Sequence, residues 1–160
     1  MRRQSFLAKL KAGGKLELVE PSPEISDSYL QKAENALNAS DLLLKNLFAE
    51  EAICLGYYCM YYPLLALFSR CGIKCATPAG SIILFKKLFN NAGLLALISD
   101  AKQERVDRQY YTNVNTTLSE AKDMLRNAHN FRIQLRLMLE SLNSAKINSI
   151  RLKLLSLLKD

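Results

Sequence analysis

The run from Ala52 to Ser69, AICLGYYCMYYPLLALFS, carries no charge and constrains the fold more than any other stretch of the chain. Written as a helix it is apolar on every side and has no face to offer water. Such a helix belongs either in a bilayer or in the middle of other helices. Its 18 residues just reach the length at which a membrane span becomes feasible. Tyr57, Tyr58, Tyr61, Tyr62 and Pro63 occupy its centre, however, whereas membrane helices keep tyrosine at their two interfaces. A central helix covered by its neighbours is the better reading, with no membrane involved.

Those neighbours can be placed from apolar spacing and end signals. Ser22-Pro23 supplies an N-cap followed by proline at the first helical position. The helix it opens runs to about Asn46 and is expected to bury Ile25, Tyr29, Ala33, Leu37, Leu44 and Leu47 on one face. The central helix spans about Glu50 to Arg70 and ends at Gly72. Pro63 removes the amide that would bond the Cys59 carbonyl, so a kink is expected there. A loop, GIKCATPAG, leads to a short helix, SIILFKKLF, and then to a helix from about Gly93 to Tyr111. Thr117 and Glu120 have the spacing of a capping box.

The helix opened by that box has the clearest seam in the chain. Leu118, Ala121, Leu125, Ala128, Arg132, Leu135, Leu139 and Leu142 recur by threes and fours, with Arg132 the single polar member. His129 lies beside this stripe and is expected to be a packed, hydrogen-bonded structural histidine. A last amphipathic helix, about Ala145 to Lys159, carries Ile147, Ile150, Leu154 and Leu157 on one side. Short connections between long helices imply antiparallel packing. The expected fold is all-α, an up-and-down antiparallel bundle of four core helices plus a short helix and a C-terminal helix. Residues 1–21 form a basic N-terminal arm, 22–143 the bundle, and 144–160 the C-terminal amphipathic helix. In the arm, KLELVEP alternates like a strand, but one strand cannot stand alone, so it is expected to be an extended lead-in packed on the bundle.

The net charge of +7 is concentrated at the two ends of the sequence. Residues 1–19 hold five Lys/Arg against one acid and residues 101–160 hold eleven against six, while residues 20–100 hold six against eight. That distribution suits an anionic partner such as RNA, a nucleotide or a lipid surface, with solvated helix faces as the alternative. Cys54, Cys59, Cys71 and Cys75 match no zinc spacing and have no histidine nearby, which favours buried thiols over a metal site; Cys71 and Cys75, flanking Gly72, form the pair to watch. Nothing in the sequence calls for a metal or a cofactor. The basic start lacks the long apolar core of a signal peptide, so a reduced, cytoplasmic setting is the simplest expectation.

The stretch AKQERVDRQYY, at residues 101–111, needs a different explanation, because two arginines, an aspartate and paired tyrosines close a helix that begins by burying leucines. Continuing the stripe Leu94, Ile98, Ala101 by helical steps brings Arg105, and then Arg108 or Gln109, to the inward face. Arg105 would therefore leave the core line at a cleft or seam, with Asp107 or Glu104 placed to neutralise it. The plain structural alternative is an inter-helix salt bridge at Arg105 and a surface pair of small worth between Glu104 and Arg108.

The order of motifs from about Val19 to Phe131 resembles the HEPN superfamily, in particular its small stand-alone archaeal and bacterial members. The segments that carry the likeness are SYLQKAENALNASDLLLKNLFAEEAICLGYYCMYYPLLALF, then GIKCATPAGSIILFKKLF, then ERVDRQYY. The resemblance implies a helical bundle that dimerises and that handles RNA or nucleotides. Its ribonuclease members carry an arginine followed four to six residues later by a histidine. The arginine holds the phosphate and its developing charge, and the histidine moves the ribose 2′-hydroxyl proton, with no metal required. Here Arg105 takes the arginine position, but Tyr110 stands where the histidine is expected. A phenol titrates near pH 10 and is a poor base at neutral pH. The resemblance also places a histidine before the short helix, where this chain has Pro78.

On this basis the resemblance assigns Arg105 and Tyr110 as the catalytic pair, a degenerate Arg-x4-Tyr form of the ribonuclease motif. Binding of RNA or a nucleotide is expected from Arg105, Asp107, Arg108, Tyr111, Tyr57, Tyr58 and Tyr61, with aromatic faces available for base stacking. Core packing is the competing role for the tyrosines. The competing function is a non-enzymatic interaction module that pairs with a small nucleotidyltransferase in a toxin-antitoxin-like system.

Overall fold

A computed structural model describes residues 5–159. Seven helices and one two-stranded ribbon follow in the order α1 (Phe6–Ala12), β1 (Leu16–Leu18), α2 (Pro23–Lys45), α3 (Ala49–Arg70), β2 (Ile73–Cys75), α4 (Pro78–Phe89), α5 (Ala92–Tyr110), α6 (Leu118–Glu140) and α7 (Ser144–Leu157). The fold is an all-α bundle. Side-chain caps fix where its helices begin. Ser22, Thr77, Asn91, Thr117 and Asn143 each accept a hydrogen bond from the backbone N–H three residues on, at 2.9–3.2 Å, which satisfies donors the helix itself leaves free. Thr117 and Glu120 complete the reciprocal capping box, the Glu120 carboxylate accepting from the Thr117 N–H at 2.8 Å.

Helix directions can be read from the cross-helix pairs. The Ser40 hydroxyl donates to the Ala52 carbonyl at 2.7 Å, and the Ser22 N–H to the Ser69 carbonyl at 3.0 Å. Residues equally distant from the Asn46–Phe48 turn therefore meet, so α2 and α3 form an antiparallel hairpin. Arg105, near the end of α5, lies over Tyr57, in the first half of α3, so α5 runs antiparallel to α3; Arg108, in the last turn of α5, reaches Glu120, in the first turn of α6, so α6 runs back antiparallel to α5 and therefore to α2, beside which Arg132 pairs with Glu34. The result is an up-down-up-down bundle of α2, α3, α5 and α6. Across its diagonal, α3 and α6 run parallel and very close. A Cβ added to Gly56 would stand 2.5 Å from Met124 Cγ, so only glycine permits this approach.

α3 is the hub, packed by α2, α5, α6, α4 and β2. Ile53, Leu64, Leu67 and Phe68 are fully buried in it. It is the one described helix long and apolar enough to cross a membrane, and most of its length is buried inside the bundle. It continues as helix through Pro63 to Arg70.

Several expectations need correction. On α2, Ile25 is 53% exposed and Leu47 is 72% exposed, and the buried positions are the small residues Ser26, Ala33, Ala36 and Ser40. Small side chains let α2 lie tight against α3, whereas Ile25 sits in the first turn and Leu47 leaves the helix with φ +67°. Tyr29, Leu37 and Leu44 flank this seam, partly buried. His129 is exposed and lines a groove between α2 and α6 rather than packing inside. On α6, Met124 and Phe131 are buried along with Ala121, Ala128, Leu135 and Leu139, while Leu118 is 40% exposed.

The N-terminal segment has a strand partner that the sequence did not reveal. β1 pairs antiparallel with β2, setting Leu16 opposite Cys75, Glu17 opposite Lys74 and Leu18 opposite Ile73. Leu7, Leu10 and Leu16 join the common core. α7 packs back through Leu154, with Ile147, Ile150 and Leu157 partly buried. Its Arg151 Nη1 donates to the carbonyls of Val19, Cys71 and Gly72 at 2.8–3.0 Å, which ties the C-terminal helix to the end of α3 and the start of the ribbon.

Candidate functional site

The inward stripe of α5 continues as its spacing implies: Leu94, Ile98 and Ala101 are buried, Arg105 is partly exposed and Arg108 is buried. Where the leucines give way to Arg105, α3 presents Tyr57 and Tyr58. The Arg105 guanidinium carbon lies 4.9 Å from the Tyr57 ring centroid and 5.9 Å from that of Tyr58, within cation–π range of both. The Tyr57 ring is 1% exposed, stacked on Tyr61 at 5.6 Å and set edge-on to Tyr58 at 5.1 Å.

Glu104 and Asp107 do not neutralise Arg105. Glu104 pairs with Arg108, and Asp107 accepts from the Gln103 amide at 2.7 Å. Among the described residues Arg105 enters no ion pair; its Nη1 donates to Gln109 Oε1, the neutral side chain one turn on. Its Nε and the Tyr57 hydroxyl are buried and have no hydrogen-bond partner among the described residues. Burial pushes the Tyr57 phenol well above its ordinary 10.0, outweighing the lowering effect of Arg105. The phenol therefore stays protonated, a neutral donor beside an unneutralised cation.

Arg108 has a different role from the ligand contact expected of it. Its side chain is 5% exposed and enclosed between Glu104 and Glu120, the latter at 3.6 Å. The Thr117 N–H, and then the Thr117 hydroxyl, hold the Glu120 carboxyl below its usual range. Arg108 thus joins α5 to the start of α6, and the pair with Glu104 is not the surface contact its spacing suggested. Tyr61 is also a core residue, its hydroxyl 3.4 Å from Ser81 Oγ on α4. Tyr110 and Tyr111 end α5 at 68% and 58% exposure. Five residues beyond Arg105, Tyr110 lies about 140° around the helix. Within one chain the two expected catalytic side chains therefore face different sides.

Tyr62, which the sequence also offered for such a pocket, and two residues it did not select, Tyr29 and Lys32, belong to the same surface. Tyr58 stacks on Tyr62 at 5.6 Å, and Tyr62 stacks on Tyr29 of α2 at 6.2 Å. Lys32 Nζ lies 5.7 Å from the centroids of both Tyr29 and Tyr62. The spacings Tyr58/Tyr62 and Tyr29/Lys32 were visible as one-turn repeats, but that the two helices align them was not.

Cys59, Cys71 and Cys75 are buried and Cys54 partly so, all as free thiols. Among the described residues no three His, Cys, Asp or Glu gather closely enough to hold a metal ion. Residues 26–136 match the family model described as the HEPN domain, a span that runs from α2 well into α6 and includes Tyr29, Tyr57, Tyr58 and Arg105. No curated protein matches the chain.

Proposed function

Since the chain belongs to the HEPN family, whose domains are generally linked to RNA binding, ribonuclease activity or nucleotide-related functions, we propose that it binds RNA or a nucleotide where Arg105 meets Tyr57 and Tyr58. The observation that carries this reading is a guanidinium held against two tyrosine rings that has, among the described residues, no carboxylate partner and no partner for its Nε. A cation so placed costs desolvation free energy that an anionic ligand recovers. Phosphate suits the guanidinium, and the partly exposed Tyr58 ring suits a base. Tyr111 and Asp107 border this end of α5, while Arg108 and Tyr61 are buried and support it from within. The protein acts in the cytoplasm as a homodimer in this reading.

Cleavage is the weaker part of the proposal. Arg105 and Tyr110 form the Arg-x4-Tyr counterpart of a ribonuclease motif, but a phenol is a poor proton acceptor at neutral pH and the two residues diverge around α5. The chain is therefore a binder whose metal-independent ribonuclease activity is slow or lost. Incubating labelled RNA with the native chain, Arg105→Ala and Tyr110→Ala in the presence of EDTA tests both parts. The reading expects RNA retention that depends on Arg105 and little cleavage; rapid cleavage abolished by Tyr110→Ala would reverse the second conclusion.

A second reading has its own observation. The helix directions bring the α2–α3 turn and the α5–α6 connection to one end of the bundle, where Leu47, Phe48, Tyr110, Tyr111 and Leu118 are all 40–72% exposed. Apolar side chains gathered at one end suit a protein partner, such as a small nucleotidyltransferase in a toxin-antitoxin-like pair. Co-purification of such a protein, lost on Phe48→Ser with RNA retention unchanged, would favour it.

A further inference from the structure

From the row of rings that leads away from Arg105, we infer that the ligand is single-stranded RNA laid across the α2–α3 surface, and not a free mononucleotide. This rests on the Arg105 site proposed above and names its substrate class. The row runs from Tyr58 to Tyr62 to Tyr29, with Arg105 at the Tyr58 end and Lys32 over the other two rings, 5.7 Å from each centroid. All three rings are partly exposed and Lys32 is exposed. Centroid separations of 5.6 and 6.2 Å with interplanar angles of 29° and 22° mean that each ring is slipped and tilted against the next. The stacking covers part of each ring and leaves the rest at the surface. The Tyr61 hydroxyl, one column inward, is satisfied by Ser81, whereas those of Tyr29, Tyr58 and Tyr62 have no partner among the described residues.

A cation at one end of an aromatic row and a second over its far pair of rings, with donors along its edge, match a strand that alternates bases with phosphates. A mononucleotide has one base and reaches one ring and one cation; only a longer strand engages Arg105 and Lys32 together. Of the four acids of α2, Glu34 is paired with Arg132 and Asp41 with Lys45, Asp27 lines the groove toward α6, and Glu24 accepts from the Ser22 hydroxyl at the start of the helix. Beyond Tyr29 the surface dips into a cavity of about 170 Å³ lined by Ile25, Leu65 and Lys74, with Glu20 on its wall, which extends the path past the last ring. Duplex RNA keeps its bases stacked and paired and so cannot use the tyrosines.

Fluorescence anisotropy with labelled oligouridylates of two and eight nucleotides, an eight-base-pair duplex and AMP as competitor tests this. The native chain is expected to bind the octamer at least about tenfold more tightly than the dinucleotide or AMP, and to prefer it to the duplex. Lys32→Ala, at an exposed position, should weaken the octamer several-fold and reduce the slope of log affinity against log salt by about 0.7, with AMP unchanged. Tyr62→Leu should cost the octamer about tenfold. Octamer binding untouched by Lys32→Ala and Tyr62→Leu, yet lost on Arg105→Ala, would overturn the track and leave the Arg105 site standing. Equal affinity for AMP and octamer would do the same. If the native chain retains none of these ligands, the Arg105 reading falls and the track with it.

Discussion

Replacing Tyr57 by phenylalanine should make the protein more stable, although it removes a polar group from the centre of the candidate site. The ring is 1% exposed, and the variant keeps its packing on Tyr61 and beneath Arg105. Only the hydroxyl is lost, and it has no partner among the described residues. A buried hydroxyl left unpaired costs about 1–3 kcal/mol. The void it leaves is about the size of one atom and costs only a few tenths of a kcal/mol. The net gain is about 1–2 kcal/mol, a rise in Tm of roughly 2–8 °C for a chain of this length. Urea denaturation followed by circular dichroism should move to a higher midpoint with an unchanged slope. Because burial raises the Tyr57 phenol above its ordinary 10.0, the folded state holds the proton after the unfolded state has lost it. The native chain therefore loses stability as pH rises above about 10, and the advantage of the variant widens there. A variant destabilised by more than about 0.5 kcal/mol would refute the reasoning, because the hydroxyl would then have a stabilising partner.

Other outcomes follow from the packing. Gly72 has φ +67°, and a Cβ there would meet Arg151 Nη1 at 2.2 Å and the Val19 carbonyl at 2.3 Å, so Gly72→Ala should cost about 3 kcal/mol or more. Arg151→Met, which takes the donor from three carbonyls, should cost about 1–3 kcal/mol, and Gly72→Ala should cost less in that background than in the native chain; denaturant midpoints of the two single variants and the double variant check this. Burial pushes the Cys59 thiol up to about 12 and the Cys71 thiol up to about 11 from 9.0. The folded state keeps both protons where the unfolded state loses them, so stability is full below about pH 9 and declines from there toward pH 12. Iodoacetamide at pH 8 followed by mass spectrometry should modify the partly exposed Cys54 first, and labelling of Cys59 ahead of it would contradict the packing.

The legible features were those encoded locally. The capping signals at Ser22-Pro23 and Thr117-Glu120 and the charge-free run of α3 each state their role within a few residues of sequence, and each took that role; the seam of α6 did so at Ala121, Ala128, Leu135 and Leu139. Arg105 at the end of a buried stripe was legible for the same reason. What escaped depended on partners distant in sequence. Ile73-Lys74-Cys75 is too short to read as a strand without Leu16-Glu17-Leu18 beside it. Large apolar residues on α2 were expected inside, but the tight α2–α3 contact selects alanine and serine there and turns Ile25 and Leu47 outward. Arg108 needs Glu120 from another helix before its burial makes sense, and Lys32 matters only because α2 sets it beside Tyr62. His129 lies next to the buried stripe of α6 but one step around the helix, far enough to reach water.

The most direct measurement is the equilibrium affinity of Arg105→Ala for a labelled single-stranded RNA at two salt concentrations, with the thermal midpoint of the same variant recorded in parallel. The account expects affinity to fall about tenfold or more and the salt slope to shrink, since one phosphate contact is gone. It expects the midpoint to move by only a few degrees, because the guanidinium contributes about 1 kcal/mol to packing through its contact with Tyr57 and Tyr58. RNA affinity and salt slope equal to those of the native chain, with stability alone reduced, would contradict it.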